Sequence, residues 1–186
     1  MKKLLLLIAV IFSIQTANAQ STSHKKGDNL LNVGVGLGYY NYGFVGNRTL
    51  NLPAFTANFE LGVHDYFGVG PFVGFKSWGY RDNNNVNYRF NLFAAGARAS
   101  FHYLALLNDA LELGIDDQQW DFYITLHLGI ENRSYTADLQ GLNPTTIFIY
   151  RPAAGFRYYL SPDFGLYAEG GYGALSFLTV GATLKL

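Results

Sequence analysis

Between Leu31 and Leu186 the chain alternates apolar with small or polar residues eight times over, and segments rich in Asn, Asp, Gly and Pro separate the runs. Successive side chains of a strand point to opposite faces, so this period of two calls for strands with one apolar and one polar face. Strand one sets Leu31, Val33, Val35, Leu37 and Tyr39 against Asn32, Gly34, Gly36, Gly38 and Tyr40. Strand five sets Phe122, Ile124, Leu126, Leu128 and Ile130 against Tyr123, Thr125, His127, Gly129 and Glu131. The pattern recurs over 55–63, 69–76, 93–103, 148–159, 164–172 and 178–186. Strands of about ten to fourteen residues follow, against the nine to eleven or so that cross a bilayer at a tilt. Nothing after Gln20 reaches the roughly eighteen apolar residues of a spanning helix. Eight is the smallest even strand number of bacterial membrane barrels.

The first residues read as an export signal. Met1-Lys2-Lys3 is a basic start, Leu4 to Ile14 an apolar run of eleven residues, and Ala17-Asn18-Ala19 a small-x-small cleavage site. Eleven residues of helix rise about 16 Å, half a bilayer core, so a signal peptide over 1–19 is expected rather than an anchor. A polar leader (20–29) then precedes a barrel domain (30–186), and this leader is read as a loose segment. No Cys follows the cleavage site, and none occurs anywhere, which removes disulfides, thiolate metal sites, cysteine nucleophiles and lipid acylation. Basic and acidic residues number 13 each, and cleavage leaves a net charge of −2, no footprint for nucleic acid.

Alternation alone does not say which face points outward. Only 14% of residues are charged, well below the quarter or so usual in soluble domains. The polar face is largely Gly, Ala, Ser, Thr and Asn, which suits a tight interior better than a water-facing exterior. Aromatic residues crowd the strand ends in two groups. Tyr39, Tyr40, Trp78, Tyr80, Tyr88, Phe90, Tyr150 and Tyr172 make one group, and Tyr66, Phe67, Phe101, Tyr103, Trp120, Phe122, Tyr158 and Phe164 the other. Two such belts match the interfacial girdles of membrane barrels. The chain also ends on Leu186, an apolar residue of the outward set. The expected fold is therefore an all-β, eight-stranded antiparallel up-and-down transmembrane β-barrel.

Four segments carry a further likeness: Gly96-Ala97-Arg98-Ala99-Ser100-Phe101-His102-Tyr103, Arg157-Tyr158-Tyr159-Leu160-Ser161-Pro162, Tyr167-Ala168-Glu169-Gly170-Gly171-Tyr172-Gly173 and Val180-Gly181-Ala182-Thr183-Leu184-Lys185-Leu186. With them the mature chain resembles the small porin-like outer-membrane β-barrel family, whose relatives include the eight-stranded OmpX and OmpA types. The resemblance implies a place in the outer membrane of a Gram-negative envelope. It also implies an assembly signal in the C-terminal strand for the barrel-insertion machinery, carried by Gly181, Leu184 and Leu186. Leu186 stands where the family usually ends on an aromatic residue, and Val180 where a polar residue is common.

With both termini in the periplasm, outer loops fall near 42–51, 80–87, 136–146 and 174–177, where an extracellular ligand could bind. The longest connection, 104–119, lies on the periplasmic side. Leu104, Leu107 and Leu111 share helical spacing there, so a short helix, an extended hairpin or simply a long turn is expected. Pro71 and Pro152 each delete a ladder hydrogen bond, so bulges or strand ends are expected beside them.

Few charges lie within the strands, and they fall on the inward face. Counting residues from the periplasmic ends puts Glu60, Arg98, Arg157 and Glu169 in one layer, two acids against two bases, where unpaired charge would cost several kcal/mol. Lys76, His127, Glu131 and Arg151 make a second, higher layer. Since eight strands are filled by their side chains, these groups read as a neutral plug. Rearrangement into an ion path is the competing reading. Ser100 and His102 share a face, as do His127 and Glu131, but neither spacing is a catalytic signature. His24, His64, His102 and His127 are scattered without metal-ligand spacing, so no metal or other cofactor is expected. Glycine runs such as Gly34-Val35-Gly36-Leu37-Gly38 alternate along a strand and lack the helix of a phosphate loop.

The function expected is non-catalytic: an envelope structural or surface-interaction barrel, monomeric because closure leaves no free edge, with outer-membrane lipids around it. The alternative is a narrow porin-like channel for ions or small solutes, and the third reading a lipid-modifying outer-membrane enzyme. A soluble exported ligand-binding barrel is the rival at the level of fold.

Overall fold

The computed structural model describes residues 23–37, 47–81, 87–111, 119–136, 144–173 and 175–186. The signal-peptide reading therefore lies outside the described residues, as do the centres of the first three outer loops. Among the described residues nine strands form one closed sheet: β1 (Asn29–Leu37), β2 (Asn47–Asn51), β3 (Ala54–His64), β4 (Phe67–Arg81), β5 (Asn87–His102), β6 (Trp120–Thr136), β7 (Thr145–Ser161), β8 (Phe164–Gly171) and β9 (Leu178–Lys185). β2 and β3 both pair with β4 and share one stave of the wall, broken at Leu52-Pro53, so the barrel has eight staves. All pairings are antiparallel, and β1 closes the ring by pairing with both β3 and β9. The terminal end of the barrel holds the start of β1, the end of β9 and the turns at Asp65-Tyr66 and Pro162-Asp163. The other end is the loop end.

The alternation becomes the two faces of the wall. Inward Asn32, Asn58, Thr125 and Thr183 are buried, whereas Val33, Ile124, Ile130 and Phe156 stand exposed on the outside. Gly34 and Gly181 are partners across β1 and β9. A Cβ on Gly34 would strike the Tyr167 hydroxyl, and one on Gly181 would meet the Tyr167 ring and the Val33 carbonyl. These two glycines make room for an inward tyrosine.

Several expectations change. Residues 47–51, assigned to a loop, form β2 against the upper part of β4. The longest staves exceed the expected length, with 16 residues in β5 and 17 in β6 and β7. Of the connection at 104–119, the first part is helical, α1 (Tyr103–Leu111), which buries Leu104 and exposes Leu107 and Leu111. Neither proline sits at a bulge. The β3–β4 ladder lapses between Asn58↔Phe72 and Leu61↔Val69 and resumes in the same register, so Pro71 removes pairing without a slip. Pro152 lies one residue beyond the last β7–β8 pair, Ala153↔Gly171, and its carbonyl accepts from the Tyr172 N–H. The bulges fall at Arg48/Leu50, Gly62/His64 and Tyr159/Ser161.

The aromatic belt at the loop end also needs correction. Trp78 and Phe90 do not face lipid. Both have inward parity, are buried, and stack at 5.3 Å between centroids. With Ala54, Phe72, Leu92, Ala94, Ile149 and Leu175 they form an apolar core in the lumen, against which Tyr88 packs. Tyr150 and Tyr172 are outward as expected. Tyr39 and Tyr40 lie outside the described residues.

Candidate functional site

At the terminal end the lumen is charged. β3 carries Glu60, β5 carries Arg98, Ser100 and His102, β6 carries Asp121 and Tyr123, β7 carries Arg157 and β8 carries Glu169, all buried. Each projects inward because it shares parity with the small inward residues of its strand. Confinement decides the rest: a charge that water cannot reach must find its counterion inside.

The four residues expected in one layer do come together, though across the lumen rather than between neighbouring strands. Arg98 Nη1 lies 2.6 Å from Glu169 Oε1, and Arg98 Nε lies 3.6 Å from Glu60 Oε2. Arg157 Nη2 reaches Glu60 Oε2 at 3.1 Å and Arg157 Nη1 reaches Asp121 Oδ2 at 2.7 Å. The result is one chain, Glu169–Arg98–Glu60–Arg157–Asp121, alternating in sign. Arg157 also lies over the Tyr123 ring, 4.3 Å from its centroid, while the Tyr123 hydroxyl donates to Glu169 at 2.9 Å. Ser100 accepts from Arg98 and donates to Glu60.

Two members escaped the sequence reading. Asp121 is the register partner of Arg157 across β6 and β7; starting the strand at Phe122 hid it, although 121, 123 and 125 share one parity. His24 belongs to the leader, which is not loose where it is described. The Gly27 N–H donates to Gly62 O, the Gly62 N–H donates to Asp28 O, and Lys185 pairs with Asp28 at 2.8 Å. These contacts hold the leader in the terminal mouth. His24 is buried there and stacks on His102, with centroids 3.6 Å apart and planes 5° from parallel. Burial first, and then the neighbouring His102, lower the His24 pKa to about 4 against the pull of Glu60 and Asp121, so its ring is neutral at neutral pH.

His102 stands between two carboxylates, with Nδ1 2.8 Å from Asp121 and Nε2 3.2 Å from Glu60. Only an imidazolium donates from both nitrogens. The charge count agrees: three carboxylates, Glu60, Asp121 and Glu169, face the two guanidiniums of Arg98 and Arg157. The expected Ser100–His102 proximity therefore serves a carboxylate: the hydroxyl donates to Glu60 rather than to the ring.

In the second expected layer, Glu131 and Arg151 form an ion pair and His127 is the register partner of Arg151. Glu131 is fully buried and pairs with Arg151 at 2.6 Å and with Arg133 at 2.7 Å. His127 lies edge-on to Phe72 at 5.0 Å, with its Nδ1 3.4 Å from the Arg151 carbonyl. Lys76 is buried on the same inward face of β4 as Phe72. A cavity of about 10 Å³ among Thr56, Asn58, Phe72, His127, Glu169 and Thr179 has room for one water.

No protein-family model matches the chain, and no curated protein does. Solved structures with a similar fold do exist. OprG from Pseudomonas aeruginosa has a TM-score of 0.53 at 11% identity, covering 88% of this chain and 97% of OprG. The N-terminal β-barrel domain of Pseudomonas aeruginosa OprF has a TM-score of 0.52 at 14% identity, covering 87% and 98%. Ail of Yersinia pestis, in complex with the heparin analogue sucrose octasulfate, has a TM-score of 0.50 at 14% identity, covering 86% and 95%. Identities this low speak to fold alone. Together with the exposed apolar wall and the buried polar lumen, they make the chain an eight-stranded β-barrel of the outer-membrane type.

Proposed function

We propose that the mature chain is a non-catalytic, non-conducting outer-membrane barrel with an envelope structural or surface-interaction role. The observation that carries this reading is the filled lumen. The terminal half is occupied by an ion-pair chain with the leader packed beneath it, and the loop half by Phe72, Trp78, Phe90 and Leu92. An ion crossing this interior would have to displace both layers at once. The termini face the periplasm in this reading, the loop end faces outward and meets any ligand, and β9 presents the chain to the barrel-insertion machinery. The ring closes through β1, paired to both β3 and β9, which supports a barrel that works without a partner copy. The buried plug also argues against catalysis, because Ser100, His102 and Asp121 lie where no substrate reaches them.

Planar bilayers test the reading. Refolded mature protein should give no stepwise current above the bare membrane, and lasting open-channel currents from the unmodified protein would replace the filled barrel with a narrow channel.

A further inference from the structure

His24, Glu60 and His102 come from the leader, β3 and β5, and their donor atoms His24 Nδ1, Glu60 Oε1 and His102 Nε2 lie within 4.8 Å of one another, all buried. The outer nitrogen of each ring faces an acceptor: His24 Nε2 is 3.3 Å from the His64 carbonyl and His102 Nδ1 is 2.8 Å from Asp121. Carboxylates and backbone carbonyls hold metal-ligating histidines in the same way, fixing the tautomer and aiming the other nitrogen at the ion. Once the proton on His102 Nε2 is given up, each ring donates from its outer nitrogen alone, and the lone pairs of His24 Nδ1 and His102 Nε2 turn toward Glu60 Oε1, at 4.0 and 3.2 Å. Three acceptors that converge in a buried site need a positive charge between them. The surrounding charges leave room for one, since three carboxylates face two guanidiniums and Arg157 and Ser100 engage the other Glu60 oxygen, Oε2.

We propose that His24, Glu60 and His102 form a site for a borderline divalent cation of the Zn²⁺ class, which clamps the leader into the terminal mouth of the barrel. Two imidazoles and one carboxylate are a ligand set that Zn²⁺ takes, at about 2.0–2.2 Å per bond. Bonds of that length draw the donor atoms closer than they now stand. The leader supplies the movement: His24 turns out of its stack on His102 while the two strand residues stay in place. The cation then occupies the position that a proton on His102 fills in its absence. Because only the docked leader completes the site, binding stabilises docking by mass action.

The test uses mature protein folded in lipid vesicles, stripped with a chelator and titrated with ZnCl₂ against a chromophoric Zn²⁺ indicator. One ion per barrel should bind at micromolar or lower concentration, and His24→Ala should weaken binding at least tenfold without disturbing the strands. His102→Gln should do the same; should it fail to fold, His24→Ala still decides the matter. Zn²⁺ should also slow tryptic cleavage after Lys25 and Lys26 in the wild type and leave the rate in His24→Ala unchanged. His64→Ala should keep the ion, because only its backbone carbonyl takes part. No binding to wild type, equal affinity in His24→Ala, or loss confined to His64→Ala would each overturn the proposal. None of these outcomes depends on whether the barrel conducts.

Discussion

Arg157→Ala should cost about 3–5 kcal/mol of folding stability, the usual result of stranding buried charges. The arginine has a fully buried side chain and joins Glu60 to Asp121 at 3.1 and 2.7 Å. Its removal leaves two carboxylates facing a low-dielectric lumen with one guanidinium fewer. Urea unfolding in lipid vesicles, followed by tryptophan fluorescence, would show the midpoint fall. Removing the negative partners together with the arginine (Arg157→Met, Glu60→Gln and Asp121→Asn) should recover much of the loss, since an apolar or neutral replacement of a whole buried network is tolerated. A role in structure alone predicts that none of these variants conducts. If Arg157→Ala opened a large conductance while keeping its stability, the ion pairs would be a gate and not a plug.

Leu128→Arg should destabilise the barrel by about 2–4 kcal/mol, the penalty for an arginine at the bilayer midplane on the lipid face. Leu128 is the central residue of the 17-residue β6 and points outward. Leu160, also outward, lies near the terminal end of β7. The same change there should cost about 0–1 kcal/mol, because arginine near the interface keeps its hydration. The same unfolding assay run on both variants gives the comparison. Equal and small effects at the two positions would mean an exterior that meets water.

How far the sequence could be read depended on whether a contact is local. Parity along a strand is local: Asn32, Glu60, Arg98, Arg157 and Glu169 all declared their inward position by alternating with apolar neighbours. Asp121 obeys the same rule and drops out only when the strand is begun at Phe122, two residues after its true start at Trp120. The loop-end belt failed for a related reason. Trp78 and Phe90 are aromatic residues near strand ends, but their parity with Phe72, Lys76, Leu92 and Ala94 places them inside. Local pattern could not show which charges meet across the lumen. Arg98 reaches Glu60 and Glu169 on β3 and β8, and those distances follow from closing the ring. His24 was the hardest to see: its segment has no periodicity, and its partners are a carboxylate and an imidazole from two distant strands. The strand residues β2 adds depend likewise on the upper part of β4, which offers an unpaired edge above the end of β3.

The central claim is a wall that meets lipid on one face and a closed lumen on the other, and a single-cysteine scan tests both faces directly in a chain that has no Cys. Val33→Cys, Leu128→Cys and Phe156→Cys would be labelled with a fluorophore before folding into vesicles, then challenged with a lipid-borne quencher and with aqueous iodide. Thr125→Cys and Thr183→Cys, at inward positions with 1% and 0% exposure, would be folded unlabelled and offered a small water-soluble thiol reagent. The expected result is quenching from the lipid alone at the three outward sites, and no reaction at the two inward ones. Iodide quenching at the outward sites, or rapid modification at Thr125→Cys and Thr183→Cys, would contradict it.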